Sequence, residues 1–298
     1  MTFQQDNPAD VLQSPLISVL DSYRMKIANC YFCGEHLKGK KSCEHVFPQW
    51  LLDDFDIREE MINATHYSQE GEVKSHRVHN LDNLLAGRIC SHCNNGWMSE
   101  LESQVKSNVL ALAEDRKVVV ELDQKARFEL ARWAFKTVLT LNLASNYRKI
   151  IPRDHYQWLF EQPNSLPKQV IVLAQQHHFT EPFYWIQSPS WVIQDKQNII
   201  NESMVESLYT KSYKIALLFK HLLLLVAYQP FTELYYVIWR GIHVPLFPLK
   251  GPLLYHERDD FEWSDSVKSI IQFHGSLFLG TLTESNNGIQ ADAAELRG

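Results

Sequence analysis

A chain of 298 residues, 45% hydrophobic and 21% charged, is long enough to bury a full core and suggests two domains. Its formal net charge of -6 excludes a protein that coats nucleic acid by bulk electrostatics, because phosphate binding needs clustered Lys and Arg, but it leaves room for a local basic groove. Five cysteines, four of them in C-x2-C pairs, fit metal ligation in a reduced compartment, by default the cytoplasm, better than a disulfide framework.

Residues 1–10 contain no basic segment leading into an apolar run, so neither a secretory nor a transit signal is expected. The longest apolar run, 222–227, is far short of the roughly 18 residues that span a bilayer, and no membrane partner is expected. Residues 1–22 read as a loose polar arm with one short helix near 16–23. The next stretch is locally basic: Arg24, Lys26, Lys38, Lys40 and Lys41 face Glu35 alone, as a solvated surface or as a phosphate-facing rim.

Cys30-x2-Cys33-Gly34 has the form of a zinc knuckle, a tight turn that points two thiolates at one ion, with glycine permitting the turn. Cys90-x2-Cys93 supplies the other two ligands of a four-cysteine site, which is structural because four protein ligands leave no open position. The gap between the pairs exceeds the roughly 15–20 residues of a compact ribbon, so the insert must itself be structured. Cys43 is left over as a small hydrophobe, and His36 and His92 are bystanders.

Residues 44–47 read as a short strand stopped by Pro48. A lone histidine beside apolar residues is ordinarily a satisfied core or surface residue. Here Glu44 directly precedes His45, and the pair sits between the knuckles, which makes it a candidate site. Residues 53–60 read as an acidic helix and 65–79 as a polar hairpin about 70–71, with His76 and His79 exposed. Gly96 and Trp97 make a turn before Ser99-x2-Glu102, a capping-box pattern that opens a helix with Leu101, Val105, Val109 and Leu112 on one stripe. Glu102 either orients a lysine or the zinc end, or lies on a solvated face.

A second unit is expected from Glu114, opening with a strand at 118–122. Asp123 then caps a long helix, 124–144, with Leu130, Ala134, Thr137, Val138 and Leu141 inward. Lys125, Arg132 and Lys136 fall on one exposed stripe, a solvated face or a nucleic-acid groove. Strands follow at 169–174, 183–186, 191–194, 213–219, 222–228 and 235–239. Pro245, Pro248 and Pro252 mark an irregular connection, and 284–298 is a frayed tail. This part reads as an α+β domain with a largely antiparallel sheet and carries no phosphate-binding or hydrolase motif.

The stretch 30–102 resembles the His-Asn-His (HNH) endonuclease family. Glu44-His45 with Pro48 matches the first part of the family pattern and Asn83-Leu84 the middle, with Asn80 as the alternative. Cys90-x2-Cys93-Asn94 matches the last part, with asparagine in place of the final histidine. The resemblance implies a ββα-metal unit with His45 as general base. It also implies Mg²⁺ or Mn²⁺ on Glu44 and Asn94, Asn83 bracing the hairpin and orienting His45, and DNA, or alternatively RNA, as substrate. The expected division is then an arm (1–22), an HNH domain with structural Zn²⁺ (23–113), an α+β domain (114–283) and a tail (284–298). Lys38, Lys40, Lys41, Arg132 and Lys136 are the candidate nucleic-acid contacts. By family analogy the role is phage defence or mobile-element work, with a homodimer or a regulatory protein as partner. The competing reading is a zinc-stabilised nucleic-acid-binding or adaptor module without catalysis.

Overall fold

The computed structural model describes residues 29–37, 42–67, 73–145, 149–188, 191–194, 200–256 and 281–284. The expected arm, Lys38, Lys40, Lys41 and residues 285–298 of the expected tail lie outside the described residues. In chain order the elements begin with β1 (Ser42–His45), α1 (Gln49–Asp54), β2 (Met61–Tyr67), β3 (Val73–Asn80) and β4 (Leu85–Ile89). There follow α2 (Ser99–Ala113), α3 (Gln124–Ala144), α4 (Arg153–Glu161), β5 (Val170–Gln176), β6 (Phe183–Ser188), β7 (Val192–Gln194) and α5 (Glu202–Lys211). The last six strands are β8 (Tyr213–Phe219), β9 (Leu222–Tyr228), β10 (Leu234–Trp239), β11 (Val244–Phe247), β12 (Leu253–His256) and β13 (Thr281–Glu284).

α3 is the central support, and its ends follow from local chemistry. Asp123 Oδ1 accepts from the Ala126 amide at 2.7 Å, satisfying one free donor of the first turn. At the other end Lys149 Nζ donates to the carbonyls of Asn142 and Leu143 at 2.7 and 2.8 Å. Between these caps nearly every residue from Leu130 to Asn142 is buried, the pattern of a helix enclosed on all sides. The exposed stripe expected along it is therefore absent in its second half. Lys136 is 0% exposed, and the half-buried Arg132 lays its guanidinium 5.3 Å from the centre of the Trp97 ring and donates to the Leu159 carbonyl.

β11, β5, β9, β8 and β6 form a five-stranded antiparallel sheet in that order. Alternation along its strands divides the buried side chains between two cores. Val172, Ala174, Ile215, Leu217, Leu224 and Val226 join the core built on α3 and the N-terminal residues. Ile171, Leu173, Ala216, Leu218, Leu223 and Leu225 join a second core against β10. Strands buried on both faces read as the near-continuous apolar runs seen in the sequence. The second sheet, ordered β12, β10, β13, β7, is mixed, with β10 parallel to β12 and antiparallel to β13.

The first core continues past residue 113 without interruption. Phe47 meets Phe183 edge-on at 4.9 Å and lies 6.1 Å from Phe219, and Trp50 lies 6.3 Å from Trp133. The expected boundary at 113/114 thus falls inside one continuous core.

Three expected elements differ. Residues 118–122 are not a strand: Val119–Glu121 is a 3-10 turn, pinned by the Val119 amide donating to Gln176 Oε1 at 2.7 Å. The early helix runs over Gln49–Asp54 rather than 53–60, burying Leu51 and Leu52 and stopping before Asp56, whose φ is 54°. Ser99 caps nothing, because helical backbone has already resumed at Met98; the helical turn that begins at Ser91, where the Cys90 sulfur accepts from the Cys93 amide, is broken by a kink at Gly96 (φ -96°, ψ -116°), where a turn is expected. α4, α5 and β11–β13 were not anticipated.

Candidate functional site

The four cysteines converge as their spacing predicts. In the first pair, Gly34 at φ 75° closes a turn in which its amide donates to the Cys30 carbonyl at 3.1 Å. The second pair sits where β4 ends and helical backbone begins. All four sulfurs lie within 4.8 Å of one another, with Cys30 to Cys93 at 3.9 Å and Cys33 to Cys90 at 3.5 Å. A tetrahedron with Zn–S bonds near 2.3 Å has an edge of roughly 3.8 Å, so the set fits a structural metal such as zinc.

Burial and the neighbouring sulfurs push the Cys33 thiol up to about 12. The contact between Cys30 and Cys93 lowers the first thiol and raises the second. A divalent ion would remove the repulsion that keeps the four from ionising together.

The metal-ligand pairs flank a small β unit. β1 runs antiparallel to β4, with Glu44 opposite Ala86 and His45 opposite Leu85, and the Val46 amide donates to the Leu84 carbonyl at 3.0 Å. His45 is thus the last residue of β1, half-buried, beside the exposed Leu85. The insert between the strands is the antiparallel pair β2–β3, described on both sides of the expected turn. Its His79 is half-buried and pairs with Ile62.

Glu44 takes a different partner from the one the resemblance implies. Its side chain points into the core, where Lys136 Nζ donates to Glu44 Oε1 at 2.5 Å and to Glu102 Oε1 at 2.7 Å. Two carboxylates on one ammonium leave a net negative charge in a water-poor place. Burial accordingly pushes the Glu44 carboxyl up, against the pull of Lys136. Burial also opposes the charge on Lys136, but the two carboxylates outweigh it and hold the ammonium above the usual lysine range. Lys136 occupies the cation position beside Glu44, and among the described residues no cluster of three or more His, Cys, Asp or Glu side chains forms apart from the cysteines. As folded, Glu44 does not fit a divalent ion.

The middle asparagine also resolves differently. Asn80 accepts from the Asp82 amide at 2.8 Å and caps the turn Leu81–Asn83, while Asn83 is exposed and has no side-chain hydrogen bond among the described residues. Asn94 is half-buried just before the kink at Gly96, its amide donating to the Cys90 carbonyl at 3.0 Å.

Sequence reasoning placed Lys136 on a surface. Lys136 shares a polar stripe with Arg132 and Thr140, so nothing local marks it as buried; its burial follows from the acids that β1 and α2 bring against that stripe. Among the described residues no helix is long and apolar enough to cross a membrane. Neither a family model, nor a curated protein, nor a solved structure matches the chain.

Proposed function

We propose that the chain is an endonuclease of HNH type that hydrolyses phosphodiester bonds in DNA, with His45 as general base. The observation that carries this reading is the setting of His45. It ends a strand whose partner runs straight into the second cysteine pair, so one clamp fixes the backbone on both sides. Half-burial leaves the ring a path to solvent while the register holds its position.

Imidazole is the side chain best able to take a proton from water near neutral pH. In the proposed step a ring nitrogen of His45 accepts that proton, the resulting hydroxide attacks phosphorus, and the 3′-oxygen leaves. Mg²⁺ or Mn²⁺, which the resemblance adds, supplies charge relief for such a reaction when bound. With Glu44 held by Lys136, no step here is assigned to that ion. Incubating the zinc-loaded protein with supercoiled plasmid, with Mg²⁺, with Mn²⁺ and with neither, tests the proposal. Nicked or linear product is the expected result. No conversion by folded protein under any of the three conditions would overturn it.

One observation favours a second reading, a zinc-stabilised nucleic-acid-binding module. The Glu44–Lys136–Glu102 group joins β1, α2 and α3 and serves packing as it stands. Plasmid binding without conversion would select that reading.

A further inference from the structure

Beside the first cysteine pair, two guanidinium groups converge on one aromatic ring. Arg88 and Arg153 place their guanidinium carbons 5.7 and 5.3 Å from the centre of the Tyr31 ring, and Arg88 Nη1 donates to Tyr31 Oη at 3.1 Å. Lys149 is close enough to Arg88 that their repulsion, added to burial, lowers its ammonium to about 8. The Lys149 hydrogen bonds go to the last carbonyls of α3, so it contributes charge there rather than a free donor.

Two guanidinium groups on one ring repel each other, and among the described residues neither has a carboxylate partner. The one acid in the first turn of α4 is Asp154, exposed and forming no ion pair with Arg153 among the described residues. Arg153 is itself the first residue of α4, whose N-terminus has no side-chain cap. A cation at that end of a helix is opposed by the helix dipole, and the free amides add to the same positive field.

The backbone is distorted to put Arg88 there. The β1–β4 register shifts between Ser42 and Glu44, so β4 carries one extra residue opposite them. Arg88 sits in this bulge at φ 63°, a left-handed conformation unusual for a non-glycine residue. A bulge re-aims a side chain away from the alternation of its strand. The Tyr31 amide donates to the Arg88 carbonyl at 3.0 Å, fixing bulge and knuckle together. Strain, mutual repulsion and an unfavourable dipole all act against this cluster, and one occupant relieves the last two: an anion.

We infer that Arg88 and Arg153, gathered around Tyr31, form a binding site for the phosphate backbone of a nucleic acid. The inference rests on the nuclease reading and deepens it by naming where the substrate strand is held. Arg88 lies three residues along β4 from Leu85, the partner of His45, about 10 Å at the usual strand rise. A strand of duplex DNA advances 3.4 Å per phosphate, so this spans about three phosphates. Guanidinium groups give paired donors suited to phosphate oxygens, and the tyrosine ring holds both without neutralising them.

The test is fluorescence anisotropy with a labelled 20-base-pair DNA duplex and zinc-loaded full-length protein, across a salt series and without added divalent ions. Each phosphate contact contributes about 0.9 to the slope of log affinity against log salt. R88Q/R153Q is expected to lower that slope by about 1.8, roughly 60-fold in affinity at 0.1 M salt. R88K/R153K, which keeps the charge, should retain most of the slope. Should the double Gln variant fail to fold, Arg153→Gln alone, on an exposed position, should remove about 0.9. Binding whose slope and affinity are unchanged in the Gln variants would overturn the inference. So would a wild-type protein that ignores the duplex but binds polyglutamate through these arginines, which would make the partner an acidic protein. Arg-dependent binding without plasmid cleavage strikes the nuclease reading alone. Cleavage with Arg-independent binding strikes this inference alone.

Discussion

Replacing Lys136 by methionine is expected to destabilise the protein by about 3–5 kcal/mol, the usual range for removing one partner of a buried ion pair. The substitution nearly conserves volume, so the cost arises from charge rather than from a cavity. It leaves Glu44 and Glu102 facing each other with no cation between them, Glu44 being only 6% exposed. The pH dependence has a defined sign. Burial already raises the Glu44 carboxyl, and removing Lys136 raises it further, so the folded variant holds a proton that the unfolded chain releases. Stability of the variant is therefore greatest at acid pH and falls as pH rises through the carboxylate range. Adding Glu44→Leu and Glu102→Leu should recover most of the loss, because an apolar set of similar volume is often as stable as a buried ion group. Thermal melts of the three proteins between pH 4 and 8 would check this; a Lys136→Met melt equal to wild type at pH 8 would sink it.

A second large effect is expected from the cysteines. Binding one zinc ion contributes apparent free energies of about 10–16 kcal/mol in small structural sites at neutral pH. Cys30 and Cys93 are fully buried members of the first core, which runs on through Leu101 to α3 and the sheet. Losing the ion should therefore unfold more than the knuckle. Metal analysis is expected to find one zinc per chain. A strong chelator should lower the melting temperature and expose all four thiols to a labelling reagent together. Removal of zinc with an unchanged melt would show that the cluster is not the clamp.

What was legible in the sequence was mostly local. C-x2-C spacing reports turn geometry, so both pairs could be matched before any fold was known. Asp123 and the apolar stripe behind it define α3 within one stretch of chain, and α3 has the expected bounds. Relations across distance were not legible. Glu44 and Lys136 are 92 positions apart, and only the packing of α3 on β1 and α2 shows that they meet. The Val118–Val120 run favours a strand by its β-branched side chains, but the contact with Gln176 on β5 holds it in a turn. The Arg88 cluster was invisible because a bulge, rather than strand alternation, aims that side chain. At the candidate site the sequence located His45 and the cysteines in one unit. It misjudged Lys136, whose ammonium fills the cation position assigned to a metal.

The most direct test of the central claim is the plasmid assay with His45→Ala beside wild type, both zinc-loaded and matched in melting temperature. General-base catalysis contributes about 10²- to 10⁴-fold, so the variant should convert plasmid at least about 100-fold more slowly while binding it equally well. Equal conversion rates in the two proteins would contradict the assignment of His45 as the base.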